Sequence, residues 1–355
     1  MSNILVSSTE ELAEVEYLLS KKMPHYRQAY SDRTSWLMAC IAELSYLKFN
    51  PIFKHKEKEY LVERVASILD QHKMTPLLKL IKSFEYDPEE ERKKLEENAD
   101  FLQMELKETF DNDGVQAILL ESDTSIILAF RGTEPNSIND ITTDFKSSTI
   151  PCKSGGKIHS GFSQAYDKVA VDIQIALDKE QAQHKPLFIT GHSLGGALAT
   201  IAAKKLTHTA GIAACYTYGS PRVADRVWFS DMKTPLYRIV NAADPVTMMP
   251  TGDELIGLLA WLSKFIPYIG DDIRNTLLSR FSGYYHGGDM RYLTNCPQGY
   301  YEDVKLLYSV SFLFRVKAFI VKKMPWSKIL TDHSVEIYRK KLKIIAYNRQ
   351  CKNTQ

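Results

Sequence analysis

The stretch PLFITGHSLGGALATIAAKKL, residues 186–206, carries a G-x-S-x-G pattern between an apolar run and an alanine-rich run. The apolar run predicts a short buried strand, and the alanine-rich run predicts a helix. A serine on the sharp turn from a strand to a helix stands exposed, where a histidine can take its proton. Ser193 is therefore a candidate nucleophile, and the N–H of Leu194 is expected to point at a developing oxyanion. Gly191 and Gly195 leave the two elements room to approach closely.

Short apolar runs alternate with helical patterns from residue 113 onward. Besides the elements that flank Ser193, the predicted strands are residues 115–120, 125–130, 213–218, 236–240 and 290–293, and the predicted helices are residues 164–178 and 335–341. This order favours an α/β fold with a mostly parallel central sheet and helices on both faces.

Helical patterns dominate the chain before residue 113. The predicted helices are residues 32–47, with Asp32 as N-cap, residues 58–72 and the strongly charged residues 89–108. We therefore expect a helical N-terminal elaboration, residues 1–112, packed on a catalytic α/β domain, residues 113–355.

The charges are distributed unevenly along the 355 residues. The net charge is +2, and the 44% of hydrophobic and 25% of charged residues are typical of a globular protein. Residues 85–108 hold ten acids and four bases, whereas residues 315–352 hold eleven bases and two acids. The basic region is expected either to contact an anionic membrane surface or to pair with the acidic helix inside the fold. A nucleic-acid partner is not expected.

The cysteines and the first residues bear on compartment and cofactors. No C-x-x-C pair occurs, and the chain starts without the basic and apolar segments of a Sec signal peptide. We expect a cytoplasmic protein, or one exported without a cleaved signal, and peripheral contact with a membrane is open in either case. The histidines show no metal-ligand spacing, so no metal site is expected. The cysteines are Cys40, Cys152, Cys215, Cys296 and Cys351.

A serine nucleophile on such a turn needs an acid and a base, which follow it in the chain. Asp244 stands in the turn after the predicted strand 236–240, where the acid is expected. Three other aspartates lie in less suitable places: Asp225, Asp231 and Asp253.

The base is left open between two histidines on position alone. His286 and His333 both follow the acid, and the loop-to-helix corner slightly favours His333. His192, beside the nucleophile, is expected to be packed and hydrogen-bonded. A second, incomplete pattern around Ser163 lacks the last glycine and predicts a helix start instead.

The order of these blocks resembles the class 3 lipase family, which is typified by secreted fungal triacylglycerol lipases. The resemblance runs from residue 115 to residue 338. Its blocks are FRGT (130–133), DITTDF (140–145), KIHSGF (157–162), GHSLGG (191–196), YGSPRV (218–223), NAADPVTMMP (241–250) and DH (332–333).

The resemblance implies an α/β-hydrolase fold and hydrolysis of carboxylic esters through an acyl-enzyme, without metal or organic cofactor. It implies His333 rather than His286 as the base, and Asp244 as the acid. It also implies that Thr133 supplies a second oxyanion donor beside Leu194. The expected substrate is then a lipid ester, either an acylglycerol or a phospholipid.

Two apolar inserts separate the acid from the base. Residues 255–269 carry large apolar side chains that either pack on the core or form a lid and acyl-chain rim: Trp261, Leu262, Phe265 and Ile266. Residues 306–321 mix apolar and basic side chains, as a helix at a membrane surface would. The alternatives are an esterase for soluble short-chain esters and a non-catalytic lipid-binding protein.

Overall fold

The structure is a computed structural model. It describes residues 3–21, 26, 28–49, 87–133, 149–179, 184–242, 244–250, 271–272, 283–297, 299–311, 314–315 and 331–352. Among these residues the strands are β1 (Glu105–Asn112), β2 (Val115–Glu121), β3 (Ile126–Phe130), β4 (Thr149–Pro151), β5 (Lys157–His159), β6 (Leu187–His192), β7 (Ile212–Tyr218), β8 (Leu236–Asn241), β9 (Asp289–Leu293) and β10 (Leu306–Leu307). The helices are α1 (Thr9–Leu19), α2 (Asp32–Leu44), α3 (Pro88–Phe101), α4 (Ser160–Leu177), α5 (Leu194–Lys205), α6 (Arg226–Phe229) and α7 (Val335–Lys352), with a 3₁₀ turn at Val246–Met248.

The strands of the described residues form an eight-stranded sheet in the order β1-β2-β3-β6-β7-β8-β9-β10, while β4 pairs with β5 apart from it. The central strands β3, β6, β7, β8 and β9 run parallel, and β1, β2 and β10 pair antiparallel at the edges. Parallel neighbours need a crossover, which α4 supplies before β6 and α5 supplies before β7. The expected mostly parallel central sheet with flanking helices is confirmed.

Alternate residues of the central strands face two different layers of helices. On β3, Ile127 and Ala129 are buried with α1, α2, α3 and α7, whereas Ile126 and Leu128 are buried with α4 and α5. The carboxyl ends of β3, β6 and β8 therefore meet at one edge of a sheet that is covered on both faces. Open α/β sheets bind their ligands at this edge.

The prediction of a charged helix over residues 89–108 was wrong for the second part of that range. Helix α3 ends at Phe101, Gln103 adopts a left-handed φ of 61°, and β1 pairs antiparallel with β2. An edge strand keeps part of its surface in water, so its charged side chains need no burial. The sheet thus begins before residue 113, the expected start of the α/β domain. The division into two domains remains a prediction.

Helix α2 is shorter than its pattern suggested. It spans Asp32–Leu44 rather than residues 32–47, and the side chain of Ser31, not that of Asp32, accepts the capping hydrogen bond from the Thr34 N–H. Nearly every side chain of α2 is buried, because the helix lies between the sheet and α7. The helix predicted at residues 58–72 lies outside the described residues.

The basic stretch 315–352 pairs with the N-terminal helices in the described part of the chain. Arg339 of α7 binds Glu43 of α2, and Lys343 lies 2.5 Å from Glu14 of α1. The carboxylates of α3 that form ion pairs within the described residues pair with bases of α3 itself. Among the described residues, the bases of this stretch thus pair with α1 and α2 rather than with α3, while Lys317, Lys322, Lys323 and Lys328 lie outside the described residues. Removing one partner of a buried ion pair costs about 3–5 kcal/mol.

Most residues of the two inserts lie outside the described residues. Trp261, Leu262, Phe265 and Ile266 lie outside the described residues. In the second insert, Leu306–Leu307 is strand β10 and not part of a helix, because it pairs with β9. Arg315 is buried at 3% exposure and so does not face a membrane surface. Among the described residues, no helix is long and apolar enough to cross a membrane.

Candidate active site

Ser193 occupies the sharp turn between β6 and α5. Its backbone has φ 56° and ψ −127°, a left-handed conformation that costs a non-glycine residue about 1–3 kcal/mol. The turn is held by close approach at two glycines. A Cβ at Gly191 would lie 2.3 Å from the carbonyl oxygen of Gly195, and a Cβ at Gly195 would lie 2.2 Å from that of Phe130. The local sequence therefore allows the elbow that exposes the serine hydroxyl to a base.

His333 and Asp244 meet Ser193 at the carboxyl edge of the sheet. The Nε2 atom of His333 lies 2.9 Å from the Ser193 Oγ, and its Nδ1 lies 2.9 and 3.0 Å from the two Asp244 carboxylate oxygens. A carboxylate accepts only, so Nδ1 carries the proton and Nε2 is left to accept the serine hydroxyl proton. Ser193 and Asp244 are fully buried, and His333 is 4% exposed.

Two of the alternative residues, His286 and Asp225, have other surroundings, and Asp253 lies outside the described residues. The pKa of His286 is lowered well below its usual range by burial and by the neighbouring Arg238, Arg222 and Arg315. Asp225 caps helix α6 by accepting from the Trp228 N–H.

The acid is fixed from several directions. Its backbone N–H donates to the Asn241 carbonyl at the end of β8, and the Val246 N–H donates to its Oδ1 at 3.0 Å. The Tyr338 hydroxyl of α7 donates to its Oδ2 at 2.6 Å. Burial raises the pKa of Tyr338 well above its usual range, which keeps that donor protonated. Two hydrogen bonds to the carboxylate and one from its backbone N–H thus hold Asp244 where it faces the imidazole of His333.

Gly219, directly after β7, provides the space in which the acid and base meet. It has a left-handed φ of +58°. A Cβ there would lie 2.7 Å from the Asp244 Oδ2 and 3.0 Å from two ring atoms of His333. Only glycine fits this position without moving the pair. The glycine belongs to the YGSPRV block at residues 218–223.

The loop after β3 lies against Ser193, the candidate nucleophile. A Cβ at Gly132 would lie 3.2 Å from the Ser193 Cβ, and the Arg131 guanidinium donates to the Gln116 side chain at 2.6 Å. Thr133 follows Gly132 in this loop. On the other side, Leu194 is the first residue of α5, where backbone N–H groups have no partner within the helix. The two predicted oxyanion residues therefore lie in segments that flank Ser193.

His192 is packed and hydrogen-bonded, as expected from its place beside the nucleophile. Its Nδ1 lies 2.7 Å from the Tyr46 hydroxyl, and its Nε2 lies 2.6 Å from the carbonyl oxygen of His333. Burial lowers its pKa well below the usual range, and the adjacent His333 lowers it further.

The lowered pKa values of His192 and His286 predict a loss of stability in mild acid. Each histidine has an unfolded pKa of about 6.5, so below that pH the unfolded chain binds protons that the native protein excludes. The free energy of unfolding should fall by up to about 1.4 kcal/mol per pH unit for each histidine, until pH reaches its native pKa. Urea unfolding at pH 7.0 and 5.5 measures this slope. His286→Gln should remove one histidine's part of it, and equal stability at both pH values would contradict the prediction.

Several residues of the site were not found from the sequence. Tyr46 precedes the nucleophile by 147 residues, and no local pattern connects the two. Tyr338 carries a weak signal, since it lies one helical turn into the predicted helix that follows His333. Lys341, which is buried and donates to the Asn241 side chain at 2.6 Å, has no such signal.

Comparisons with known proteins match the part of the chain that carries Ser193 and Asp244. The model of the family "Lipase (class 3)" matches residues 127–254. A secreted mono- and diacylglycerol lipase from Fusarium solani is 37% identical over 133 residues, and a lipase from Rhizomucor miehei is 34% identical over 143 residues. These matches cover 35% and 37% of the chain and 39% of the length of each relative.

The solved structures extend the similarity beyond the matched segment. The lipase of Rhizopus microsporus var. chinensis superposes with a TM-score of 0.51 at 20% identity, covering 88% of this chain and 90% of that one. This similarity shows the fold, which is that of an α/β-hydrolase. The family model covers the segment from β3 to the loop that follows the candidate acid, residues 127–254, and this segment is similar to the class 3 lipase family.

Proposed function

We propose that the protein hydrolyses carboxylic esters of lipids, acylglycerols or phospholipids, with Ser193 as nucleophile. The observation that carries the proposal is the unbroken hydrogen-bonded series from the Ser193 Oγ through His333 to the Asp244 carboxylate. A serine hydroxyl is a poor nucleophile, and a positioned base and acid are what activate it.

The proposed reaction proceeds in two steps. His333 takes the proton of Ser193 as the oxygen attacks the acyl carbonyl, and then donates it to the departing alcohol oxygen. Water attacks the acyl-enzyme in the second step and gives a proton to His333. His333 then returns this proton to the Ser193 Oγ as the bond to the acyl group breaks and the carboxylic acid leaves. Asp244 holds the imidazole in the Nδ1–H form and stabilises the imidazolium in both steps.

The oxyanion of each tetrahedral intermediate needs preorganised donors. We propose the backbone N–H groups of Leu194 and Thr133 for this role. The proximity of Gly132 to Ser193 and the place of Leu194 at the start of α5 support it. Removing one such donor typically costs about 10²–10³-fold in kcat.

The lipid nature of the ester is supported by two observations. The printed names of the relatives include a mono- and diacylglycerol lipase. In addition, Ser193 is fully buried, so surrounding residues have to move before an ester reaches it. We propose that a lipid surface favours this opened state.

Covalent labelling and a panel of esters test the proposal. We expect the wild-type protein to react with a fluorophosphonate probe. We also expect it to hydrolyse triacylglycerol or phospholipid faster than a soluble short-chain ester, and its rate to rise when vesicles are added. Zwitterionic and anionic vesicles should be compared in parallel to test for contact with an anionic surface. Turnover of the soluble ester alone, unaffected by vesicles, would support the esterase alternative and contradict lipid specificity.

A further inference from the structure

Tyr46 reaches the active site from a part of the chain that the family match does not include. It lies just after α2, and its hydroxyl is 2.7 Å from the His192 Nδ1. The same hydroxyl abuts the loop after β3, since a Cβ at Gly132 would lie 2.2 Å from it. The guanidinium of Arg131 lies 5.9 Å from its ring centre. Tyr46 thus contacts both His192, which precedes Ser193, and the loop at Gly132, which lies against Ser193.

The two contacts of His192 determine which of its ring nitrogens carries the proton. A backbone carbonyl accepts only, so the Nε2 of His192, 2.6 Å from the His333 carbonyl oxygen, has to be the donor. The imidazole is neutral, because burial disfavours its charged form. Its Nδ1 is then a lone pair, which accepts the Tyr46 hydroxyl proton. Both contacts are therefore satisfied by the same tautomer of His192, the one with its proton on Nε2.

We propose that Tyr46 is a positioning residue for the hydrolysis proposed above. By donating to Nδ1 it holds His192 in the Nε2–H form, and His192 then holds the backbone of His333 at the distance that Ser193 requires. The hydrogen bond at one ring nitrogen sets the state of the other in many histidine sites. The helices of the N-terminal region thereby contribute to the geometry of the base.

Tyr46→Phe removes one oxygen and leaves the ring. Without that donor, the Nδ1–H form of His192 becomes accessible, and this form cannot donate to the His333 carbonyl. We expect kcat and the rate of probe labelling to fall about 10- to 100-fold, as displacement of a reacting group by an ångström does, with KM changed less than about twofold. Tyr284→Phe is the matched control, because the Tyr284 hydroxyl is buried and has no hydrogen-bond partner among the described residues. This control should retain full activity.

A double-mutant cycle separates the proposed route from simple packing. Glutamine at position 192 can present an amide N–H to the His333 carbonyl and has no tautomers. In the His192→Gln background, Tyr46→Phe should therefore cost less than about threefold in kcat. An equal loss in both backgrounds would mean that Tyr46 acts through the loop at Gly132, and would overturn the proposal.

The tautomer itself provides a readout that does not depend on activity. Long-range ¹H–¹⁵N spectra of the imidazole rings should show His192 in the Nε2–H form in the wild-type protein and in a mixture with Nδ1–H in Tyr46→Phe. An unchanged His192 signal in the variant would overturn the proposal. Failure of the proposed hydrolysis would look different, since the wild-type protein itself would then neither bind the probe nor cleave an ester.

Discussion

Ser193→Ala is expected to abolish covalent labelling by a fluorophosphonate and to lower kcat for ester hydrolysis by on the order of 10⁶-fold, the loss seen when the serine of a Ser–His–Asp hydrolase is removed. The Ser193 Oγ is the atom that lies 2.9 Å from the His333 base, and alanine leaves that base without a nucleophile to activate. Alanine adds no atoms, and it meets the same left-handed backbone at φ 56° that serine does. The variant should therefore fold as the wild-type protein does, which circular dichroism and urea unfolding would check.

Ser163→Ala is the matched control for this variant. Ser163 is also buried and follows a glycine by two residues, but it lies in the first turn of α4. Its substitution should leave labelling and turnover within about twofold of the wild-type values. The loss of a hydroxyl group outside the candidate site changes stability rather than the reaction. Labelling that persists in Ser193→Ala would mean that another residue is the nucleophile.

Asp244→Asn is expected to lower kcat by about 10⁴-fold while leaving the fold intact. An amide that presents its NH₂ group to the His333 Nδ1 would favour the tautomer with the proton on Nε2, which cannot accept the serine proton. The variant also loses charge stabilisation of the imidazolium. Only the oxygen of the asparagine side chain accepts hydrogen bonds. The Tyr338 hydroxyl and the imidazole of His333 then compete for this one acceptor. Steady-state kinetics should show the loss in kcat, with KM changed little.

Asp225→Asn tests the aspartate that sequence position left as an alternative. Asp225 caps α6, and asparagine is an equally good capping residue, so neither stability nor activity should change markedly. Similar activity losses in the two variants would contradict the assignment of Asp244. A loss of less than about tenfold in Asp244→Asn would contradict its proposed role in orienting the base.

The elements that local sequence determines were predictable. The turn at Ser193 follows from glycines and from an apolar run next to an alanine-rich run, all within about 20 residues. The strands β3, β6, β7 and β8 follow from short apolar runs that are buried on both faces. Asp244 could be ranked first because the acid has to follow a strand. The helix prediction for residues 105–108 was wrong because charged residues suit both an exposed helix and the edge strand of a sheet. Only pairing with β2 decides between the two.

The contacts that join distant segments were not predictable in the same way. The choice between His333 and His286 needed a family resemblance, since both histidines follow the acid in suitable loops. The contact between Tyr46 and His192 joins residues 146 positions apart, and that between Tyr338 and Asp244 joins residues 94 positions apart. Neither tyrosine stands in a pattern that differs from that of an ordinary core residue. Such partners are determined by how helices pack on the sheet, which no window of sequence contains.

The ion pairs between α7 and the N-terminal helices have a consequence for the order in which a nascent chain acquires activity. Arg339 binds Glu43 across 296 residues of sequence, which take roughly 15–60 s to synthesise at 5–20 residues per second. Until α7 emerges, the carboxylates of α1 and α2 lack their cations, and Ser193 has only just gained His333, the base proposed for it. The same 18-residue helix then stabilises the N-terminal helices and holds His333 through the residues at its start. A chain whose synthesis stops before α7 would therefore leave these carboxylates without their partners.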